Sequence, residues 1–416
     1  MSLTSNLAYT VKPSAVSARA YTHSCNTING TSFSGGDVIK LDIPCGIFGE
    51  YLDANNSFIK LKFTNNSGQT FTLDSSILSV INRMTVEYSG YTLEDVSDLG
   101  VLSSIFMDTQ IDFQTKKTTL AIQQGTSGSE NRSGASFANS ANGTFTFGLP
   151  SFILGLTASK YIPLGAMTSS DTLRLSLYLA DNAIPVVCGD AGHSGSFQIT
   201  ECTYEAHIIK LEESAEMMIR QSTKMNYRIH GDTFRSFNTT LAQSDTQSSI
   251  NIPVKCSSLK TLIVAHRYTA DTTSKVRQSI TNRTRGDLTE YYFTIGSKRC
   301  PQKPIKTTDV FCSDVFTNVQ KALHHFGDRH TGVSFASTDF PLTATNAVGG
   351  AFVIMQDMES FSGKSDVLNT GESTVSQQIF FNGTYDSIPA QCLVTSFAHF
   401  DCMLEIDPTE IARVLF

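Results

Sequence analysis

The sequence predicts an all-β protein made of two similar β-sandwiches in tandem, and three observations carry that prediction. Short segments alternate apolar and polar residues with a period of two, the signature of half-buried strands. The composition is aromatic-rich and charge-poor, with 27 Phe, 13 Tyr, no Trp and only 17% charged residues, which suits strands and packed interfaces. Landmarks of the first half also return in the same order about 200 residues later. Each half opens on a strand ending in Ile-Pro, Ile43-Pro44 and Ile252-Pro253. Each then has one clear helix, and each closes on a long strand holding an acid, aromatics and a His. A length of 416 residues accommodates two large all-β domains.

Residues 1–36 are small and polar and are expected to form a loosely ordered arm. In Val38–Ile43, Ile39, Leu41 and Ile43 share one face, and Pro44 ends the strand. Phe58–Phe63 alternates again before an Asn65-Asn66-Ser67-Gly68 turn. Asp74 is placed as the N-cap of a short helix through Ile77, Val80 and Ile81, followed by a strand at Met84–Tyr88. From Glu94 to Asp112 the period changes, and Leu99, Leu102, Ile105 and Phe106 predict an amphipathic helix. Residues 124–143 contain almost nothing to bury and predict a long exposed loop. Strands follow at Thr144–Leu149, Leu173–Leu179 and Phe197–Leu211.

Residues 212–224 look helical and are assigned as the linker. The divisions expected are thus an arm at 1–36, a first domain at 37–211, the linker, and a second domain at 225–416. Strands resume at Met225–Ile229, Ser249–Val254 and Leu259–Ala265. A second helix is expected over 313–326, with Val315, Phe316, Val319, Leu323 and Phe326 on one face. Strands at Ala351–Met355, Gln378–Phe381 and Leu393–Ile406 close the chain.

Tests for chemistry are negative. Gly363-Lys364-Ser365 lacks the upstream Gly of a phosphate loop, since Met358 stands there, and Gly192-His193-Ser194-Gly195 ends in Ser196 where a nucleophile elbow needs Gly. His324, His325, Asp328 and His330 have no metal-ligand spacing. The carboxylate pairs Asp357/Glu359 and Glu212/Glu213 read as solvated surface. No catalytic residue, metal site or cofactor is expected. The nine cysteines are odd in number and scattered, with no C-x-x-C, so buried free thiols are expected and not a disulfide framework. The N-terminus lacks the apolar core of a secretory signal, and no run of about 20 apolar residues occurs.

The net charge of −7 excludes a general polyanion binder. One segment opposes that balance: Lys275, Arg277, Arg283, Arg285, Lys298, Arg299, Lys303 and Lys306 face only Asp287 and Glu290, a local net of +6, with Tyr291, Tyr292 and Phe293 interleaved. Two readings stand side by side: contact with nucleic acid or an acidic neighbour, and a solvated loop with its flanking strand. Before Lys40 the N-terminus has only Lys12 and Arg19, too few for a genome-condensing arm.

Together with the tandem halves, several segments resemble the double jelly-roll major capsid proteins of tailless icosahedral DNA viruses, a group spanning adenovirus-like, large algal virus, virophage and polinton-like lineages. They are Asp42-Ile43-Pro44 with the following Tyr51–Ser57, the stretch Met358-Glu359-Ser360-Phe361 with Asp366–Gly371, and the ending Phe400–Pro408. The resemblance covers roughly residues 38–416. It implies two eight-stranded jelly rolls with short helices in their connections. It also implies a homotrimer with a pseudo-hexagonal outline that tiles an icosahedral shell. Further implications are penton and minor capsid proteins as partners, and a place in the virion after synthesis in the host cytoplasm or nucleus. Loops 124–143 and 268–308 become candidates for the outer surface or for contacts between capsomers. Three alternatives are weighed against it. A single jelly-roll capsid protein with a projecting domain predicts dissimilar halves and a basic arm. A tandem β-sandwich carbohydrate-binding module predicts secretion, and a β-sandwich hydrolase predicts a convergent acid pair.

Overall fold

The computed structural model describes residues 16–127, 132–325, 332–342, 350–360, 370–407, 409 and 411–416. Eight strands of the first half form two four-stranded antiparallel sheets. In chain order they are β1 (Ala18–Asn26), β2 (Val38–Pro44), β3 (Phe58–Asn65), β4 (Ile81–Tyr88), β5 (Tyr91–Ser97), β6 (Asn142–Phe147), β7 (Thr172–Leu179) and β8 (Phe197–Leu211). One sheet has the order β1-β8-β3-β6 and the other β2-β7-β4-β5. The pairs first–eighth, second–seventh, third–sixth and fourth–fifth are those of one long ribbon folded back on itself and rolled up, which is the jelly roll.

The second half repeats this strand for strand. Its strands are β9 (Tyr227–Leu241), β10 (Gln247–Ile252), β11 (Leu259–Tyr268), β12 (Leu288–Ile295), β13 (Lys298–Lys306), β14 (Ile354–Asp357), β15 (Ile379–Tyr385) and β16 (Cys392–Ile406). The sheets run β9-β16-β11-β14 and β10-β15-β12-β13, the same ranks in the same places. The helices repeat as well: α1 (Leu99–Gln110) follows the fifth strand, and α3 (Ser313–Ala322) follows its counterpart. Between the rolls lies α2 (Glu213–Thr223), where a linker helix was expected.

Register explains why the alternating patterns lock. Leu41 pairs with Leu175, which pairs with Val86, so one core row crosses three strands. In the second roll Ile252, Ile379 and Ile295 make the equivalent row. All six are essentially inaccessible to solvent. Each such side chain contributes about 1.5–3 kcal/mol of burial, and a one-residue slip would turn the whole row outward. Each core also has its own aromatic cluster: Phe63 stacks on Phe197 at 5.4 Å between centroids in the first, and Phe293 meets Phe381 at 5.4 Å in the second.

Several expectations are corrected. The N-terminal segment is not a loose arm where it is described. Residues 18–26 pair with β8 over nine positions, from Ala18↔Leu211 to Asn26↔Thr203, and Ser32–Ser34 joins the same strand. Without β1 the long β8 would carry an open edge, so the sheet recruits polar residues by backbone hydrogen bonds. Asp74 is not a helix cap; it ends the strand Phe71–Asp74 and is fully buried, while Ser76 caps the short helix Ile77–Val80 by accepting from Leu78 N–H at 3.2 Å. The first helix begins at Leu99 and not near Glu94, because Ser89-Gly90, both at positive φ, turn the chain into β5. The second helix ends at Ala322, and Phe326 lies outside the described residues. Nor is 124–143 one open loop: Ser133–Phe137 pairs with Phe71–Asp74 and Asn142 begins β6.

Candidate assembly surfaces and the crown joining the two rolls

Strand direction sorts the connections. Odd-to-even connections leave one end of each roll and include the two longest, residues 98–141 and 307–353, together with 66–80 and 269–287. We call this end the crown. The opposite end, the base, holds the two-residue hairpins 89–90 and 296–297, helix α2, the start of β1 and the end of β16.

The crowns of the two rolls are pinned by buried polar residues. Asp108 on α1 lies on the stripe continued from Leu102 and Ile105 and is fully buried. Its carboxylate receives Lys116 Nζ at 3.0 Å and Arg132 Nη1 at 3.4 Å, and it forms a close ion pair with Arg283 from the second roll. Burial alone would raise its pKa, but Lys116, Arg283 and Arg132 outweigh burial and hold the group well below the usual carboxylate range. Arg132 also donates to the carbonyls of Thr281 at 3.1 Å and Gly350 at 3.0 Å. Asp74 accepts from Ile280 N–H at 2.7 Å and Thr281 Oγ1 at 2.6 Å. Lys116 completes the knot by donating to Ser334 Oγ at 2.9 Å. Matching loops of the two rolls are thus crosslinked by ions and hydrogen bonds whose charges have no access to water.

Below the crown the seam is mixed. Asp98 accepts from Ser236 at 2.7 Å and Asn238 at 3.0 Å, and Phe106 meets Phe234 edge-on at 5.6 Å. Glu94 is buried against Ser151 and Thr233, and burial pushes its pKa up to about 7. Gly231 on β9 permits a close approach, since a Cβ there would lie 2.5 Å from the Phe152 ring. On the second roll, Lys260 is ringed by Asp232 at 3.4 Å and by Glu359 and Asp401 at 3.8 Å. His399, His230 and His324 each pair with one of those three acids.

The eight cations of the basic segment do not act together. Arg283 is in the buried knot, Arg277 is paired with Asp271 at 2.8 Å, and Arg285 donates to the Thr307 carbonyl at 2.6 Å. Lys275 is half-buried, and its carbonyl accepts from Cys188 N–H at 2.7 Å. Lys298 pairs with Glu372 at 2.7 Å, Arg299 lies over the Tyr292 ring, and Lys303 and Lys306 are exposed on the edge strand β13. The contiguous +6 patch read from the sequence is therefore divided between an internal brace and an edge strand.

Of the other motifs, His193 is a buried turn residue whose Nδ1 accepts from Gly195 N–H at 2.9 Å. His324 pairs with Glu359 at 3.0 Å, while Asp328, His330 and Gly363-Lys364-Ser365 lie outside the described residues. Among the described residues no group of three or more His, Cys, Asp or Glu side chains could hold a metal. All nine cysteines are free, and only Cys300 is not fully buried. No described helix is long and apolar enough to cross a membrane. Sequence reasoning missed Asp108 and Arg132. An acid on the apolar stripe of α1 was a readable signal for Asp108, whereas Arg132 sits in a polar stretch with none.

Large apolar side chains are exposed at both ends. At the crown Val310 is 75% and Phe311 63% exposed, beside an apolar pocket of about 310 Å³ lined by Phe316, Phe335 and Phe340. At the base Ile47, Phe48, Met217 and Met218 are exposed near a cleft of about 680 Å³ walled by Tyr51, Ile209, Ile219 and Tyr227.

No protein-family model matches the sequence, and no curated protein matches it. Solved structures match its fold over nearly the whole chain. The PBCV-1 protein VP54, as fitted into a reconstruction of the virophage Sputnik, aligns with a TM-score of 0.65 and 12% identity, covering 98% of this chain and 99% of that one. The Faustovirus major capsid protein aligns at 0.58 with 8% identity, over 95% of this chain and 92% of that one. The mavirus major capsid protein aligns at 0.55 with 11% identity, over 100% and 94%. The double jelly roll described above is thus a fold shared with viral major capsid proteins.

Proposed function

We propose that this chain is the major capsid protein of an icosahedral DNA virus, a structural protein and not an enzyme. Three copies form a capsomer with a nearly hexagonal outline. The observation that carries this reading is the duplicated roll, with ranks 1-8-3-6 and 2-7-4-5 in both halves, matched end to end by VP54. The units in this reading are the rolls at 18–211 and 227–406, joined by the linker at 212–224. Two like rolls per chain, repeated by a three-fold axis, give six similar walls, an outline that fills a plane. The exposed apolar groups at crown and base support a chain that buries more surface on assembly. A single roll with a projecting domain does not account for two equal halves.

The partners in this reading are other copies of the chain, then penton and minor capsid proteins, and the location is the virion shell, built in the host cell. The test is the solution mass by light scattering, with negative-stain images of the same peak. A mass near three times 45.3 kDa with hexagonal particles supports the proposal, and a monodisperse monomer overturns it.

A further inference from the structure

The outer face of the sheet β10-β15-β12-β13 holds a polar groove whose lining residues all belong to the second roll. Two polar rows cross it: Gln247, Thr384 and Glu290 in one register, and Ser249, Asn382 and Tyr292 in the next. Their neighbours Ile250, Phe381, Tyr291 and Phe293 point into the core, so alternation alone presents these groups outward.

The groove is opened by an irregularity of β13. The pairing of β12 with β13 shifts between Tyr291 and Phe293, so Tyr292 is paired with Asn382 on one side and has no partner on β13. The strand there contains Pro301 and Pro304, which have no N–H to donate, and it bows away. A recess of about 460 Å³ results, lined by Gln247, Ser249, Glu290, Tyr292, Arg299 and Asn382. The Arg299 guanidinium lies 3.6 Å above the Tyr292 ring. Asn382 donates to Thr294 Oγ1 at 3.0 Å, and its carbonyl oxygen makes no hydrogen bond among the described residues. Arg299 is exposed in this lining and makes no ion pair among the described residues, and Lys303 and Lys306 are exposed on the same strand β13.

We propose that this groove binds a short anionic saccharide. Amide, hydroxyl and carboxylate side chains in two rows match the vicinal hydroxyls of a sugar, and the Arg299 guanidinium, braced over the Tyr292 ring, is placed to receive a carboxylate or sulfate. A nucleic acid fits less well. It requires cations spaced along a phosphate track and several stacking rings, whereas here one cation lies over one ring and the rest of the groove is neutral apart from Glu290. The inference does not rest on the capsid reading, because binding is measured on the purified full chain whatever its mass.

The experiment is calorimetric titration of the full chain with four probes: a heparin tetrasaccharide, 3′-sialyllactose, maltotetraose and a single-stranded oligothymidylate of matched charge. The expected result is binding of a sulfated or carboxylated probe and none of maltotetraose. Which of the first two binds assigns the anion. Arg299→Ala and Tyr292→Ala each weaken binding about tenfold or more, Tyr292→Phe preserves it, and all three melt like the parent. Binding of maltotetraose equal to the charged sugars, tighter binding of the oligothymidylate, no binding at all, or binding indifferent to Arg299→Ala and Tyr292→Ala would each overturn the proposal.

Discussion

Arg283 of the second roll and Asp108 of the first form an ion pair in which neither side chain is more than 1% exposed. It holds together two units that share no sheet. A buried pair is poor evidence of net stabilisation, but a partner removed from it leaves charge stranded in a low dielectric. Here removal of Asp108 strands three cations. Asp108→Ala is expected to lower unfolding free energy by about 3–5 kcal/mol, read by denaturant titration. A loss below about 1 kcal/mol would mean that the knot is hydrated. Because the Asp108 pKa is depressed, its contribution is present above the unfolded value and is lost as pH falls below about 4.

Glu94 behaves in the opposite sense. Its folded pKa is raised to about 7, so the folded state holds a proton that the unfolded chain releases at its ordinary value of 4.5. Stability linked to this group therefore declines as pH rises from about 4.5 to about 7 and is flat above, by roughly 3 kcal/mol in all. Glu94→Gln keeps the hydrogen-bonding shape without the charge and should remove that slope. The check is the difference between parent and variant unfolding free energies across the pH series, and a constant difference would contradict it.

Gly231→Ala tests a close contact of the seam. The added methyl meets the ring and Cβ of Phe152, itself fully buried, and should cost about 1–3 kcal/mol. Adding Phe152→Leu should recover part of that loss, and strictly additive effects in the double-mutant cycle would show that the two sites do not touch.

Val310→Asp with Phe311→Asp separates assembly from folding. Both side chains are largely exposed, so the melting temperature should change little, while the light-scattering mass should fall from that of the proposed trimer towards 45.3 kDa. An unchanged mass would remove the crown from the copy–copy contacts.

The thiols give a simple count. Burial pushes Cys45 and Cys202 up to about 12, and eight of the nine cysteines are buried. A chromogenic thiol reagent should find about one group in the native protein, Cys300, and all nine after denaturation.

The strands were legible wherever alternation coincides with one buried face, as in β2, β3 and β7, whereas β12 and β13 were missed because they lie within 268–308, which reads as a loop. The common order of landmarks in the two halves was enough to expose the duplication. Where reading failed, the cause was a competing requirement. β1 is polar because it is held by backbone pairing along an edge, which leaves no hydrophobic period to detect. Asp74 and Arg132 occur in segments whose local signals favour a cap and a loop, yet their partners Thr281 and Gly350 lie far along the chain. The basic segment misled in a related way, since charge adjacent in sequence was divided between an internal brace and an outward edge.

The near-repetition of the two rolls has a further consequence. Six identical walls would leave a hexagonal tile with no means of telling one sixth of a turn from another. Walls of like outline but unlike chemistry, one roll with the cationic edge β13 and the other without it, alternate around such a tile. In the trimer proposed above, rotation by one step would put unlike edges where like ones had met, so the tile's orientation in its plane would be information carried by a single gene product.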